Sequence, residues 1–501
     1  MKSWVNVSRW PAVCAAGCVG YRMPALAVVL ALCAATAPVI AAGSHDAPRR
    51  MTDEQLVEDL RSHLDRLTNR DAFSGTVLLA KGDRVLFQRA YGFANRAFNA
   101  RNTLDTKLNL GSMGKMFTAV ALLQLVQQGK LALDDRVIKL VPDYPDTEIA
   151  RKISVHQLLT HTSGLGSFFN DKFAESSRAK YRTIAAHLPL FTGERLLFEP
   201  GTGWSYSNAG FIVLGLIIEH VSGQSYYDYV REHVFAPAGM SNTDNYNVDD
   251  DVPNLALGYT YMGFDLRPHL EQPRRTNILM HVGRGSSSGG GYSTVGDLLR
   301  FSLALHEHKL LNEEYTRLLL TGKVDTPRGK DRYAYGIVEA RVNGVRIVGH
   351  SGGFPGINGQ LDMYPELGYT VAVLSNYDEA AEPVSARLRW LLTGGPVPRA
   401  GKLPLDALRA VAGTYVPAPP PNAPPAEREG MPPIQIVADA EGLWQHGLFR
   451  RRFLPLSAHE FFSEDAPGDR MRFATDAHGR VVSMTITRGG SGPSLTATRV
   501  Q

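Results

Sequence analysis

Ser112 and Lys115 stand three residues apart in Gly111-Ser-Met-Gly-Lys115, at the opening of an apolar run through Met116, Phe117, Val120, Leu123 and Val126. On a helix, residues at that spacing share a face, so the serine hydroxyl and the lysine amine can meet. Amide donors at a helix start favour a developing anion, and burial among apolar side chains lowers a lysine's pKa. A neutral Lys115 can then take the serine proton and leave a nucleophile. A second group is Tyr206-Ser207-Asn208, the one Y-x-N among 19 tyrosines, just ahead of the apolar stretch Phe211–Val221. A tyrosine beside a lysine ammonium has a depressed pKa and can shuttle a proton to a leaving group, while Asn208 offers both a donor and an acceptor. A third is His350-Ser351-Gly352-Gly353. A strand edge of small residues lets a substrate carbonyl reach the backbone, and with the Ser112 amide it forms an oxyanion hole.

Each element alone also fits a plainer role: a helix N-cap for Ser112, a loop tyrosine packed on Trp204, a turn with a surface histidine. The sequence supplies its own controls. Ser177-Arg178-Ala179-Lys180 repeats the serine–lysine spacing in a polar stretch, and His281-Val282-Gly283 repeats H-x-G. Gly349–Gly353 and Gly285–Gly289 both match G-x-S-x-G. That pattern needs a helix directly after the serine, which neither Phe354-Pro355-Gly356 nor Gly289-Gly290-Gly291 can begin, so an α/β-hydrolase elbow is rejected.

These groups need elements to hold them. Leu56, Leu60, Leu64 and Leu67 recur at helical spacing over 51–70. Phe73–Ala80 and Arg84–Tyr91 form a hairpin, and residues 112 to about 320 are mostly helical patterns between Gly/Pro loops. Glycine ends are expected near Gly129 and Gly223, and a capping box at Ser293-Thr294 before Asp297. Strands return at Tyr333–Val342 and Val345–Gly349 around Asn343-Gly344, then at Gly359–Tyr364 and Tyr369–Leu374, closed by a helix over 384–393. Strands from both ends bracketing a helical middle predict an α+β domain, an antiparallel sheet with an inserted helical region. Residues 396–404 read as a linker, and 405–501 as a small C-terminal β domain interrupted by the proline cluster Pro417–Pro425.

Composition narrows the function. The 501 residues carry a net charge of only +4, with no basic run, so nucleic-acid binding lacks its electrostatic footprint. Residues 1–42 hold Lys2, Arg9 and Arg22, no acidic residue, and an apolar Ala-rich stretch ending in small residues. That is a signal-peptide layout with cleavage near Ala41 or Ala42, and hence a periplasmic or secreted protein. A membrane association follows only if the leader is kept as an anchor. Cys14, Cys18 and Cys33 all lie in the leader, so disulfides and thiol chemistry are not expected of the mature chain. Neither H-E-x-x-H nor a phosphate-binding G-x-x-x-x-G-K-[ST] occurs. His306-Glu307-His308 places its two rings at i, i+2, where they diverge, so no metal is expected.

In the order Ser112, Tyr206, His350 the sequence resembles the penicillin-recognising serine hydrolases over roughly residues 55–395. These are the class C β-lactamases, penicillin-binding proteins and their esterase and D-aminopeptidase relatives. His156-Gln-Leu-Leu-Thr-His-Thr-Ser-Gly-Leu165 and Gly289-Gly-Gly-Tyr-Ser-Thr-Val-Gly-Asp-Leu298 resemble family segments around the site. The resemblance implies a β-lactamase/transpeptidase-like fold over 43–395, without a cofactor, and a lipocalin-like C-terminal domain. It implies Ser112 as acylated nucleophile, Lys115 as general base, Tyr206 as proton shuttle, and the amides of Ser112 and Gly353 as oxyanion hole. Asn208 would steady Lys115 and the substrate amide, with His350, Ser351 and Gly352 on the substrate strand. One departure stands out, because His350 occupies the position where the family usually has a lysine that helps hold the substrate carboxylate. A histidine is neutral or only partly charged near pH 7, which favours an ester or a small amide or peptide as substrate. Alternatives are a D-amino-acid peptidase, a β-lactamase, or a catalytically silent cell-wall-binding or sensor protein that meets peptidoglycan fragments.

Overall fold

The computed structural model describes residues 50–263, 267–327, 331–418, 433–446, 450–489 and 494–500. The expected leader and most of the proline cluster lie outside them. The heart of the fold is an eight-stranded antiparallel sheet in the order Arg84–Tyr91, Gly75–Lys81, Tyr369–Ser375, Ile357–Tyr364, Val345–Phe354, Val338–Val342, Arg332–Tyr333 and Val324–Asp325. Strands from both ends of the domain therefore share one antiparallel sheet, as the bracketing pattern predicts, and Gly75–Lys81 pairs with Tyr369–Ser375. The Asn343-Gly344 hairpin forms with both residues at positive φ, 48° and 82°, which suits a tight turn matched to strand twist.

Strand alternation sorts the core into two layers. Val77, Leu79, Val371 and Val373 face the helices Asp53–Asn69 and Ala381–Leu392, meeting Leu56, Leu60, Leu64, Val384 and Leu388. Leu78, Ala80, Ala372 and Leu374 face the opposite way, into the helical region. At the centre of that region the helix Lys115–Gln127 is apolar on every side and buried on every side up to Leu125. It packs beside Asn208–Ser222, which ends at Gly223 with φ 74°. The helix Val295–His306 is capped by Thr294, as expected, but Asp297 does not return the bond. Its carboxylate instead accepts from Asn242 N and Thr243 Oγ1 and pairs with Arg300.

After residues 396–404, which carry no helix or strand, a short helix Leu405–Val411 leads into a closed eight-stranded barrel from Gly413 to Arg499. Its interior is filled by Tyr415, Ile436, Leu443, Phe453, Phe461, Met471 and Met484. Arg387 ties three parts together: it grips Asp59 at 2.5 and 2.7 Å and donates to the Glu464 carbonyl at 2.8 Å. Arg451 of the barrel reaches Glu382 on the closing helix and Asp469.

Candidate active site

The nucleophile candidate sits where three glycine-bearing backbones converge. Residues Gly111–Gly114 form a single 3-10 turn that leads into the helix from Lys115. A β-carbon on Gly352 would lie 1.9 Å from the Leu110 carbonyl oxygen and 3.2 Å from Ser112 N. One on Gly289, whose φ is 133°, would lie 2.2 Å from the Gly111 oxygen. Only glycine allows the 352 strand and the 289 loop to close on the serine turn from both sides.

The surroundings of Lys115 decide which of its protonation states can act. The side chain is fully buried, and Nζ lies 3.3 Å from Ser112 Oγ, 2.8 Å from Asn208 Oδ1 and 2.5 Å from the Ser288 carbonyl. Burial holds its pKa well below the usual lysine value. A neutral amine has two N–H groups and one lone pair. The two carbonyl oxygens can only accept, so they take both N–H groups and leave the lone pair facing Ser112 O–H. That is the arrangement of a general base on a serine.

Tyr206 departs from the expected depressed pKa. Lys115 Nζ lies over the ring, 4.8 Å from its centroid. Burial of the hydroxyl pushes the phenol pKa up, and the Ser112 side chain offsets this only partly. Tyr206 therefore stays protonated and has an O–H to donate. Its hydroxyl is buried against the Ser112 side chain. A donor held beside the serine hydroxyl is where a substrate heteroatom would complete the site.

A residue that motif reading did not assign a role holds this tyrosine. His161, fully buried at φ 62°, accepts from Ser207 N through Nδ1 at 3.0 Å, and its carbonyl accepts from Ser205 N at 3.1 Å. Both neighbours of Tyr206 are thus pinned to one histidine, whose ring lies 4.4 Å from the Tyr206 ring. The signal was present in His-Thr-Ser-Gly within the 156–165 segment. Nothing local connects that segment to position 206.

The His350 strand divides its tasks in a way that spacing did not reveal. Val338–Val342 pairs with Val345–Gly349 only, so residues 350–354 have a partner on one side and a free edge on the other. Phe354 and Ile357 flank a two-residue turn, so alternation points the Gly353 N–H away from its partner, out of that free edge. Gly353 lines the cavity together with Ser112. His350, Ser351 and Gly352 are not among the residues that line this cavity. His350 is buried, donating from Nδ1 to the Ser351 carbonyl at 2.5 Å and accepting at Nε2 from Tyr333 Oη at 3.0 Å. Desolvation, with Lys115 adding to it, pushes its pKa down to about 4, so the ring is neutral near pH 7. The decoy pair Ser177 and Lys180 lies exposed on the surface.

The cavity has a volume of about 310 Å³ and is walled by Ser112, Tyr206, Asn208 and Gly353 on the chemical side. With the geometry in place, comparison with known proteins becomes informative. The β-lactamase family pattern matches residues 55–394. Penicillin-binding protein 4* of Bacillus subtilis (strain 168) is 30% identical over 347 residues, 66% of this chain and 75% of that protein. The crystal structure of a penicillin binding protein from Bacillus halodurans superposes with a TM-score of 0.59 at 33% identity, covering 68% of this chain and 100% of that one. D-amino acid amidase from Ochrobactrum anthropi SV3, complexed with D-phenylalanine, shares the fold at TM-score 0.57 and 23% identity, over 68% of this chain and 98% of that one. A penicillin-binding protein homologue from Pyrococcus abyssi shares the fold over 88% of this chain and 99% of its own, at TM-score 0.62 and 22% identity.

Proposed function

The chain belongs to the β-lactamase family of serine hydrolases, and from that premise we propose that it cleaves an ester or a small amide or peptide bond through an acyl-enzyme on Ser112. The observation that carries this is the Lys115 environment. Nζ lies within reach of Ser112 Oγ, two carbonyl oxygens flank it, and burial lowers its pKa, which favours the neutral amine that can take the serine proton. Lys115 takes the hydroxyl proton as Oγ attacks the substrate carbonyl carbon. The oxyanion that forms lies against the N–H groups of Ser112 and Gly353; the former belongs to a first helical turn, where amides lack intrahelical partners. Tyr206 O–H donates to the leaving heteroatom, the proton that Lys115 took from Ser112 is returned to the Tyr206 oxygen, and the serine ester remains. Water then attacks that ester and frees the acid. The same proposal includes export, with the leader removed near Ala41 or Ala42.

Intact-mass measurement after exposure to a fluorophosphonate tests the nucleophile. One adduct on the wild type and none on Ser112→Ala is the expected result. A folded wild type that takes up no label would leave a catalytically silent binding protein as the better account.

A further inference from the structure

The far side of the cavity differs in character from its chemical side. It is built from Phe168, Phe169, Tyr246, His281, Phe354 and Ile357, and no Asp, Glu, Lys or Arg side chain lines it among the described residues. Phe169 is 42% exposed, and its ring lies 5.6 Å from that of Phe354 at an interplanar angle of 34°. The His281 ring also lies 6.4 Å from that of Phe354. Three rings, from the 166–170 loop, the sheet hairpin and the 281 loop, thus form one uncharged, largely apolar rim of the cavity that Ser112 also lines. Phe169 is itself backed by Phe168 at 4.5 Å and Phe173 at 5.0 Å, so the rim is supported from behind.

We propose that this cavity selects substrates whose acyl group is apolar and uncharged, aromatic for preference, seated against Phe169 and Phe354. This deepens the acyl-enzyme reading and rests on it. The argument is one of compensation. A carboxylate or ammonium entering the cavity sheds water and needs a counter-charge or several directed hydrogen bonds in exchange. Lys115 does not supply that counter-charge: burial disfavours its ammonium, and Nζ is already bonded to the Asn208 and Ser288 carbonyls. The two histidines do not substitute for it, since desolvation lowers the pKa of both His281 and His350. An apolar acyl group loses nothing on entry, and an aromatic one gains ring contacts with Phe169 and Phe354. At about 310 Å³ the space suits a short acyl chain or one ring.

The test is a panel of 4-nitrophenyl esters of matched length on the purified protein: pentanoate, phenylacetate, hemiglutarate and 4-trimethylammoniobutanoate. The expected kcat/KM for phenylacetate and pentanoate exceeds that of both charged esters by roughly 100-fold. Phe354→Arg, which adds a cation to the rim, is expected to bring hemiglutarate within about tenfold of pentanoate. If that variant does not fold, the wild-type panel still decides. A charged ester turned over as well as its neutral match overturns the proposal. So does fluorophosphonate labelling at Ser112 without turnover of any neutral ester. No turnover together with no labelling overturns the hydrolase reading itself.

Discussion

At the scale of single residues, the chemistry depends on what burial does to two side chains that lie against each other. Desolvation disfavours the charged form of each, so it favours the neutral amine of Lys115 and the neutral phenol of Tyr206, the forms that the proposed mechanism uses. The base must be neutral to act. As pH falls through the folded-state pKa of Lys115, kcat/KM should fall with it, and that acid limb should lie well below the 10.5 of an ordinary lysine. Lys115→Arg installs a cation that cannot lose its proton and should lower kcat/KM by about 10³-fold across the whole pH range. A variant with near-normal turnover would remove Lys115 from the role of base.

At the scale of elements, the site is an assembly of close backbone approaches. Gly352→Ala puts a methyl group where the Leu110 carbonyl stands, and the strand or the serine turn must move. We expect a loss of kcat/KM of at least about 100-fold, because displacement by an ångström at a reacting centre costs that much. Gly296 makes a useful contrast. It lies in the helix Val295–His306, and a β-carbon there meets nothing closer than 3.8 Å. Gly296→Ala should leave activity intact and raise stability by up to about 1 kcal/mol, measured as a shift in denaturant midpoint. The pair separates glycines needed for approach from a glycine that merely occupies a helix.

At the scale of the molecule, four fully buried or nearly buried histidines, His63, His161, His187 and His350, are all held below the ordinary value of 6.5, chiefly by desolvation. Between the folded-state and unfolded-state pKa values the unfolded chain binds more protons, so acidification favours unfolding. For His350 the window runs from pH 6.5 down to about 4, and its contribution to the loss is about 3 kcal/mol. Asp465 and Asp469 in the barrel, whose pKa values burial raises, work in the opposite direction. Comparing the pH slope of unfolding free energy in wild type and His350→Gln isolates the histidine. The variant should show the shallower acid-side slope, and equal slopes would mean that His350 is not neutral in the folded protein.

Much of this protein was legible in its residue order. Local rules cover the hairpins at 81–83 and 343–344, the glycine ends at 129 and 223, and the helix that carries Lys115 three residues after Ser112, because each depends on neighbours within a few positions. That strands from both ends of the domain share one antiparallel sheet followed from its β-rich ends, whereas the pairing of Gly75–Lys81 with Tyr369–Ser375 came from the folded chain. What the residue order could not carry is the sign of the Tyr206 shift, the turning of His350 into the interior, and the link from His161 to the Tyr206 loop. It also could not show that the rings of Phe169, Phe354 and His281 meet around an uncharged cavity. Those properties arise from desolvation and from contacts between segments as much as 185 residues apart, such as Phe169 and Phe354. Only the folded chain sets the dielectric around a group and decides which distant side chains become its neighbours.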